Sequence, residues 1–561
     1  MTSSENNAAR RLAEIAKTTP DNVAIAVSRD YAANGKRRYE TIAFQQLDEY
    51  ADKIAYAFRE NGVKQGMRIA LLAKYGIDFI ALVYAIFKSG AVVVLVDPGM
   101  GMRRMLNCLA EAEPDGFAAL SPVHAVRIFL RSRFPKAKHH LIIGRRWFWG
   151  GLSLEKIKRQ TYPGTILAAV EPDDPAAIIF TSGSTGVPKG VLYTHQIINT
   201  QASEIAARYG IRSGIADVAG FPFFGLFDAA MGVTAVIPDM NPTRPADVNP
   251  KNILEAAADW NAVQSFGSPA LWNRVADDCI ERNVKIPTLR RVVLAGAPIS
   301  THLLAKLKRC LADDAEIFTP YGATESLPVA SIEAKEILNE TAALTNLGLG
   351  ICVGKRFSQI DWRIVKISDA PIERLEDAEI LPAGEIGELA VTGPQVTRRY
   401  ITRVEANAAS KMIDSQGRVW HRIGDVGHLD AQERFWFCGR KAHRVETATG
   451  VMFTIPCEAI FNMHADVYRT ALIGLGKYGE QTPLLCVEPK PKRFPETSDA
   501  KEKFLAELRE IGLANPLTAN VEAFEFLRNF PVDVRHNAKI NRELLREMFT
   551  KKKNIAKLKF H

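Results

Sequence analysis

The feature that most constrains the fold is a regular alternation of helix-like and strand-like segments. Apolar residues recur at three- and four-residue steps over 44–58, which is the spacing of one buried helix face. Short apolar runs at 69–72 and 91–96 follow, with a second helical pattern at 79–87 between them. The same order returns later, with a helix predicted at 251–260, a strand at 262–266, a helix at 301–311 and a strand at 316–318. Strands that alternate with helices predict a largely parallel sheet covered by helices on both faces. We therefore expect an α/β fold.

The pattern changes beyond about residue 350. Short strand-like runs at 386–391 and 435–438 lie among glycine and proline turns, which predicts a small β-barrel-like part. After Gly439-Arg440 the chain alternates short strands with one strongly charged helix at 500–511. We therefore place a domain boundary at that point. It divides the chain into a large N-terminal domain, 1–439, and a small α+β C-terminal lid domain, 440–561.

The composition excludes several classes of protein. Apolar residues make up 47% and charged residues 24%, which is typical of globular chains and not of collagen-like or disordered ones. The seven cysteines are scattered, without the close spacing of a zinc or CxxC site, so we expect reduced thiols and a cytoplasmic location. The apolar stretch 79–96 is interrupted by Lys88-Ser89-Gly90, which predicts a buried helix and strand and no transmembrane segment.

The net charge is a weak guide to partners. It is +9, from 72 Lys and Arg against 63 Asp and Glu, and this excess of positive charge is small for a chain of 561 residues. No helix-turn-helix or aromatic–basic pattern accompanies it, so we expect no nucleic-acid partner. The tail KKKNIAKLKFH holds five lysines. It fits a solvated helix end, and a contact with a partner protein or an anionic surface stays open.

The strongest motif is a loop rich in glycine, serine and threonine between two apolar strand-like runs. Small residues let backbone N–H groups close around phosphate oxygens, and hydroxyl groups add donors. Lys189 supplies a point charge suited to phosphate. The spacing does not fit the GxxxxGK[ST] loop of P-loop enzymes, so a different class of phosphate site is predicted. The motif reads Thr181-Ser182-Gly183-Ser184-Thr185-Gly186-Val187-Pro188-Lys189-Gly190.

This decapeptide resembles the phosphate loop of the adenylate-forming superfamily, which includes acyl-CoA synthetases, luciferases and the adenylation domains of peptide synthetases. The resemblance covers nearly the whole chain, because further signatures of the family follow in order. It implies ATP and Mg²⁺ as cofactors. The further segments are Ala295-Gly296-Ala297-Pro298, Tyr321-Gly322-Ala323-Thr324-Glu325, His421-Arg422-Ile423-Gly424-Asp425, Gly439-Arg440 and Asn537-Ala538-Lys539.

The resemblance also implies a role for individual residues. The ring of Tyr321 lies near adenine, Thr324 bonds the α-phosphate, and Asp425 and Arg440 reach the ribose. The implied nucleotide-binding set is Thr181, Ser182, Gly183, Ser184, Thr185, Gly186, Lys189, Gly296, Ala297, Pro298, Tyr321, Gly322, Ala323, Thr324, Asp425, Arg440 and Lys539. The implied magnesium ligands are Thr185 and Glu325.

The chemistry explains why cations are needed. A carboxylate that attacks an anionic triphosphate needs positive charge around the α-phosphorus, and pyrophosphate leaves with further negative charge. Lys539, Lys189 and a magnesium ion on Glu325 are predicted to supply that charge. With Thr185 and His195 they make up the predicted catalytic set.

The segment after the phosphate loop predicts an apolar acyl pocket. It reads Phe221-Pro222-Phe223-Phe224-Gly225-Leu226-Phe227, where many members of the family carry a histidine. An aromatic wall suits a long hydrocarbon, and ordinary core packing is the alternative. The predicted pocket residues are Phe221, Phe223, Phe224, Phe227, Phe266 and Gly267.

Within the superfamily the chain looks closest to the olefin β-lactone synthetases, on the segments 96–101, 439–447 and 531–539. That resemblance implies that a long-chain 2-alkyl-3-hydroxy fatty acid is adenylated and its own 3-hydroxyl then closes a β-lactone, with release of AMP and pyrophosphate. It also implies contacts with other enzymes of olefin biosynthesis. His195 and His443 are candidate bases for the hydroxyl, with a structural role as the alternative for each. Two alternative functions stay open: that of a long-chain acyl-CoA synthetase, and that of a binding protein without catalytic activity.

Overall fold

The computed structural model describes residues 3–180, 187–221, 224–532 and 540–551. Two large sheets, mostly parallel, form the N-terminal part and confirm the predicted α/β class. One sheet has nine strands, in the spatial order Lys355–Arg356, Ser326–Glu333, Glu316–Ala323, Arg291–Leu294, Gln264–Gly267, Ala216–Ala219, Thr234–Ile237, Val23–Tyr31 and Arg37–Ala43. The other has seven strands, in the order Leu152–Ser153, His139–Ile143, Gly116–Leu120, Arg68–Leu72, Val92–Val96, Pro175–Phe180 and Gly190–Thr194.

One continuous apolar core joins the two large sheets. It includes side chains of the strands Val23–Tyr31 and Val92–Val96, one from each sheet, and of the helices Phe44–Glu60 and Ile77–Lys88. The buried end of the second helix carries Lys88, whose ammonium pairs with two carboxylates at 2.6 and 2.7 Å. The apolar stretch 79–96 is thus a buried helix and strand, as predicted. In the described part of the chain, no helix is long and apolar enough to cross a membrane.

The helices lie between consecutive strands or cover the sheets. Their bounds are Arg10–Thr18, Phe44–Glu60, Ile77–Lys88, Met102–Glu111, Ser121–Phe129, Leu154–Arg159, His195–Tyr209, Phe224–Met231, Pro250–Asp259, Pro269–Glu281, Thr301–Cys310, Ala334–Glu336, Ala342–Asn346, Ala406–Ser410, Thr454–Phe461, Ser498–Leu513 and Arg542–Lys551. Serine and threonine side chains cap several of them. Ser268 Oγ, for example, accepts the N–H of Leu271 and begins the helix Pro269–Glu281.

The prediction of a barrel-like part was wrong in one respect: the described strands form an open antiparallel sheet of six, because its two edge strands do not pair with each other. Its strands are Ile351–Cys352, Phe435–Arg440, Val419–Leu429, Gly387–Thr392 and Asp361–Val365, with Lys411–Ile413 paired to the third of these. The C-terminal part holds a hairpin, Val445–Thr447 with Gly450–Met452, and a sheet of Val467–Leu475, Thr482–Pro489 and Ala523–Phe526. Two apolar clusters lie wholly within residues 445–549, and the division of the chain near residue 440 stays a prediction.

All seven cysteines are free and buried. Burial raises the pKa of Cys352, Cys438 and Cys486 to about 12, so these thiols stay protonated at neutral pH. Across the described ranges no cluster of three or more His, Cys, Asp or Glu side chains forms a metal site. The cysteines are therefore core residues.

Candidate active site

Three neighbouring parallel strands bring two of the predicted segments to one edge of the nine-stranded sheet. Gln264–Gly267, Arg291–Leu294 and Glu316–Ala323 pair in register, with Phe266 opposite Val293. Ligands of open α/β sheets bind at the carboxyl ends of such strands. The loop after the middle strand contacts its neighbour, since the N–H of its first residue bonds the Gly267 carbonyl at 3.2 Å. This edge carries Phe266, Gly267, Gly296, Ala297, Pro298 and Tyr321.

A tight hairpin presents Thr324 and Glu325. The two residues lie between the antiparallel strands Glu316–Ala323 and Ser326–Glu333, and the last pair before the turn is Ala323 with Ser326. A Cβ atom on Gly322 would lie 2.6 Å from the carbonyl oxygen of Ser326. Only glycine fits there, which gives the predicted signature a structural reason.

Two residues that sequence analysis did not single out hold this hairpin. The hydroxyl of Tyr193 donates to the carbonyl oxygen of Thr324 at 2.6 Å. The N–H and the hydroxyl of Thr397 both donate to the carbonyl oxygen of Glu325, at 2.8 and 3.0 Å. Tyr193 lies three residues beyond the phosphate loop, which was a usable signal, whereas Thr397 is 72 residues from its partner.

Tyr321, Asp425 and Arg440 form one hydrogen-bonded group. The hydroxyl of Tyr321 donates to one oxygen of the buried Asp425 carboxylate, and Arg440 Nη1 donates to the other at 2.5 Å. The carboxylate raises the pKa of Arg440, and burial with Asp425 beside it raises the pKa of Tyr321 well above its usual range. The structure thus joins three residues that the motifs assigned separately to adenine and ribose.

A second group surrounds Glu325. Its Oε1 accepts a hydrogen bond of 2.6 Å from the hydroxyl of Tyr400, and Lys189 Nζ lies 4.7 Å from the centre of the Tyr400 ring. Lys411 Nζ lies 5.7 Å from the same centre. Lys189 and Glu325 were predicted site residues. Tyr400 and Lys411 were missed, because neither belongs to a motif that sequence analysis used.

The residues near Glu325 fit a magnesium–nucleotide complex. Mg²⁺ is usually held by one or two carboxylates together with substrate phosphates and water. Glu325 presents one carboxylate at a half-buried hairpin tip, near the half-buried Lys189. The magnesium site itself stays a prediction, because its other predicted ligand, Thr185, lies outside the described residues.

The predicted acyl wall is an aromatic cluster. The rings of Phe224 and Phe266 stack with centroids 4.1 Å apart and an interplanar angle of 5°. Phe221 lies 6.0 Å from Phe266, and Phe227 lies 6.1 Å from Phe224. The cluster thus lines the carboxyl end of the strand Gln264–Gly267. Phe223 lies outside the described residues.

The two histidines that were candidate bases have other contacts. His195 is fully buried, its Nδ1 accepts the backbone N–H of Ala8 at 3.1 Å, and burial lowers its pKa to about 4. His443 is enclosed beside Arg440 and Arg542, and burial with these cations lowers its pKa to about 3. A base at neutral pH is most effective with a pKa near 7. The geometry therefore gives no support to either base role, and both stay predictions.

Comparisons with known proteins agree on one family. A profile of the AMP-binding enzyme family matches residues 12–401. The chain belongs to the AMP-binding enzyme family. It is 42% identical over 549 residues to an olefin beta-lactone synthetase of Xanthomonas campestris pv. campestris, and the aligned region covers 96% of each chain. It is 43% identical over 546 residues to an olefin beta-lactone synthetase of Stenotrophomonas maltophilia, which covers 96% of this chain and 97% of that one.

The fold of this AMP-binding enzyme is also found in solved structures. Amide bond synthetase McbA of Marinactinospora thermotolerans matches with a TM-score of 0.77 and 21% identity, over 97% of this chain and 99% of that one. ATP-bound MatB of Rhodopseudomonas palustris matches with a TM-score of 0.75 and 18% identity, over 98% and 99%. The predicted family and fold are confirmed, and the predicted enzyme class is confirmed as an AMP-forming ligase.

Several predicted residues of this AMP-binding enzyme lie outside the described part of the chain. They are Thr181, Ser182, Gly183, Ser184, Thr185, Gly186 and Lys539. The chain is described up to Val532 and again from Ile540, and these two residues pair with each other. Arg542 binds the Glu458 carboxylate with two hydrogen bonds of 2.5 and 2.9 Å. The next residue, Glu543, lies 4.0 Å from His443 Nε2. The chain on the carboxyl side of Lys539 is thus anchored beside the domain junction.

Ion pairs tie the predicted domains together at that junction. Lys441 Nζ lies 3.0 Å from the fully buried carboxylate of Glu388, which also binds Arg422 at 2.6 Å. Arg444 donates to Asp369 at 2.5 Å. Lys441 and Arg444 belong to the predicted C-terminal domain, and their partners belong to the N-terminal one. The boundary near residue 440 stays a prediction, and these contacts hold the two sides in one arrangement.

Proposed function

We propose that this AMP-binding enzyme is an olefin β-lactone synthetase. The observation that carries the proposal is the similarity of 42–43% over 96% of the chain to two proteins of that name, combined with the grouping of the motif residues at one sheet edge. The proposed substrate is a long-chain 2-alkyl-3-hydroxy fatty acid, and the proposed products are a β-lactone, AMP and pyrophosphate. ATP is the nucleotide, and Mg²⁺ the metal.

In the first half-reaction the substrate carboxylate attacks the α-phosphorus of ATP. A bond forms between a carboxylate oxygen and the α-phosphorus, and the bond from the α-phosphorus to the bridging oxygen of the leaving pyrophosphate breaks. Lys189 and Lys539 would stabilise the negative charge that develops, and Glu325 would hold the metal. When bound, Mg²⁺ supplies positive charge to the phosphate oxygens. Asp425 and Arg440, fixed to each other and to Tyr321, would orient the nucleoside.

In the second half-reaction the 3-hydroxyl oxygen attacks the carbonyl carbon of the acyl adenylate. A ring C–O bond forms, the C–O bond to AMP breaks, and the hydroxyl proton leaves to a base or to water. No separate nucleophile is needed, because the hydroxyl is held in the same molecule and its effective concentration is high. The stacked rings of Phe224 and Phe266 would contact the hydrocarbon.

The experiment that tests the proposal follows the products by mass spectrometry. The full-length protein is incubated with ATP, Mg²⁺ and one racemic 2-alkyl-3-hydroxy acid, with and without coenzyme A. We expect β-lactone, AMP and pyrophosphate in both reactions. A thioester with coenzyme A, and no lactone without it, would instead identify a long-chain acyl-CoA synthetase. Absence of pyrophosphate release in every reaction would identify a binding protein.

Two further parts of the proposal concern the cell. The scattered, free cysteines are consistent with the proposed cytoplasmic location. Contact with other enzymes of olefin biosynthesis is proposed because the lactone must be consumed and the hydroxy acid supplied. Co-purification of the tagged protein from a cell that makes the substrate tests this contact.

A further inference from the structure

The strongest unassigned feature near the nucleotide motifs is Lys411. Its ammonium group and that of Lys189 both lie over the ring of Tyr400, at 5.7 and 4.7 Å from the ring centre. Lys189 belongs to the predicted phosphate loop, whereas Lys411 belongs to no motif. Two lysines on one tyrosine ring form a concentrated positive site. Its position beside the Glu325 carboxylate puts it where the phosphates are expected.

The backbone holds Lys411 in place. The residue begins the strand Lys411–Ile413, where it pairs with His421 of the adjacent strand. Its Nζ donates to the carbonyl oxygen of Thr397, and Thr397 Oγ1 lies 3.4 Å from the same nitrogen. Thr397 in turn binds the carbonyl oxygen of Glu325 at 2.8 Å. Lys411 is therefore fixed to the segment that supports the Thr324-Glu325 hairpin.

The charges around Lys411 do not balance. Within the described ranges the ammonium forms no ion pair with a carboxylate, and its polar contacts are the neutral atoms of Thr397. Glu325 attracts it, but Lys189 repels it. Of the remaining facing groups, Tyr400 donates its hydroxyl to Glu325, and burial keeps the pKa of His421 well below its usual range. A half-buried cation without an anionic partner is unfavourable, so the site lacks one negative group.

We propose that Lys411 binds the phosphate groups of the nucleotide, as a second lysine that contacts the Tyr400 ring together with Lys189. The missing negative group is then the ligand itself. Phosphate oxygens would relieve the repulsion between the two ammonium groups and accept a charge-assisted hydrogen bond from Lys411. The proposed role of Lys411 rests on nucleotide binding by the AMP-binding family and not on lactone closure. A failure to detect the lactone would therefore leave this role unaffected.

A purely structural role is the competing explanation. In that case Lys411 acts only through its hydrogen bond to the Thr397 carbonyl, and the nucleotide does not contact it. Lys411→Gln separates the two explanations, because glutamine keeps an N–H donor and removes the charge. Lys411→Met removes both. Lys366→Met is the matched control, since Lys366 is an exposed lysine paired with Glu379 at 2.7 Å.

The experiment measures binding of ATP, AMP and adenosine to the full-length variants by titration calorimetry, with Mg²⁺ present. We expect both Lys411 variants to bind ATP about 10- to 100-fold more weakly, as for other hydrogen bonds to charged groups. Adenosine, which has no phosphate, should bind within about twofold of the unchanged protein in every variant. Weaker AMP binding would support contact with the α-phosphate, and unchanged AMP binding would support contact with the outer phosphates.

Two results would overturn the proposal. One is ATP affinity within about twofold of the unchanged protein in Lys411→Gln. The other is an equal loss of ATP and adenosine affinity, which would indicate a distorted pocket. Thermal unfolding of each variant establishes that it is folded, and Lys411→Gln remains available if the methionine variant does not fold.

Discussion

Asp425 and Arg440 face each other across two adjacent strands, and their side chains form an ion pair with a separation of 2.5 Å. The strand register places them directly opposite, so the pair follows from the pairing of Val419–Leu429 with Phe435–Arg440. Arg440 is the first residue of the predicted C-terminal domain. One carboxylate therefore links the nucleoside side of the site to the domain junction.

The first prediction concerns that carboxylate. Asp425→Asn keeps the shape of the side chain and removes the charge that pairs with Arg440. We expect KM for ATP to rise about 10- to 100-fold, because a charge-assisted contact is lost. The measurement is the rate of pyrophosphate release against ATP concentration. Asp414→Asn is the matched control: Asp414 is a buried aspartate bound to Arg418 and Trp420, and its loss should lower stability and leave KM unchanged. An unaltered KM in Asp425→Asn would contradict the assignment.

The second prediction concerns the predicted catalytic lysine. Lys539→Ala should reduce the rate of pyrophosphate release by at least about 10²-fold, because a positioned cation is lost from the transition state. ATP binding should change by no more than a few fold, since the interaction is made mainly in the transition state. Lys477→Ala, at an exposed lysine of the C-terminal part, is the control. A variant that releases pyrophosphate at the original rate would refute the role.

The third prediction follows from the pKa of Lys411, which burial lowers to about 7. At pH 8 the free protein carries this side chain mostly as the neutral amine, whereas bound phosphates raise its pKa and favour the ammonium. Binding of ATP at pH 8 should therefore take up close to one proton, and affinity should fall as the pH rises above 7. At pH 6 the ammonium is already present, and uptake by this group should be small.

Calorimetry in buffers of different ionisation enthalpy measures this proton uptake. Lys411→Met is the reference, because ATP itself and all other groups titrate equally in both proteins. The difference between the two proteins should be near one proton at pH 8 and close to zero at pH 6. The prediction would be contradicted if the two proteins took up the same number of protons as each other at pH 8 as well as at pH 6.

The fourth prediction concerns the aromatic cluster. Phe224→Ala removes a buried ring that stacks on Phe266, so we expect a loss of about 3–5 kcal/mol in the free energy of unfolding. If the ring contacts substrate, the variant should also accept bulkier or longer hydrocarbon arms. Phe461→Ala, in the core of the C-terminal part, should lose comparable stability and keep the original chain-length preference. Identical preferences in the two variants would assign Phe224 to core packing alone.

The predicted and observed bounds of the helices and strands show which of them the local sequence pattern determines. The predicted helix over 251–260 is observed as Pro250–Asp259, and the charged helix over 500–511 as Ser498–Leu513. The strand predicted at 316–318 continues to Ala323, because its last residues pair with a neighbouring strand that the local pattern did not indicate. Helices were predicted well because their caps and apolar spacing lie within one window of sequence.

The sequence by itself determined the α/β class, the buried nature of the apolar stretch 79–96 and the AMP-binding motifs. Each of these features depends on residues that are close together along the chain, either through the spacing of apolar side chains or through a turn that only small residues can form. The tertiary structure alone decided that Tyr400 binds Glu325, 75 residues away, and that Lys411 lies over the same ring as Lys189. It also showed that His195 is bound to Ala8 in the core. Such contacts join side chains from separate elements, and strand register and packing bring them together.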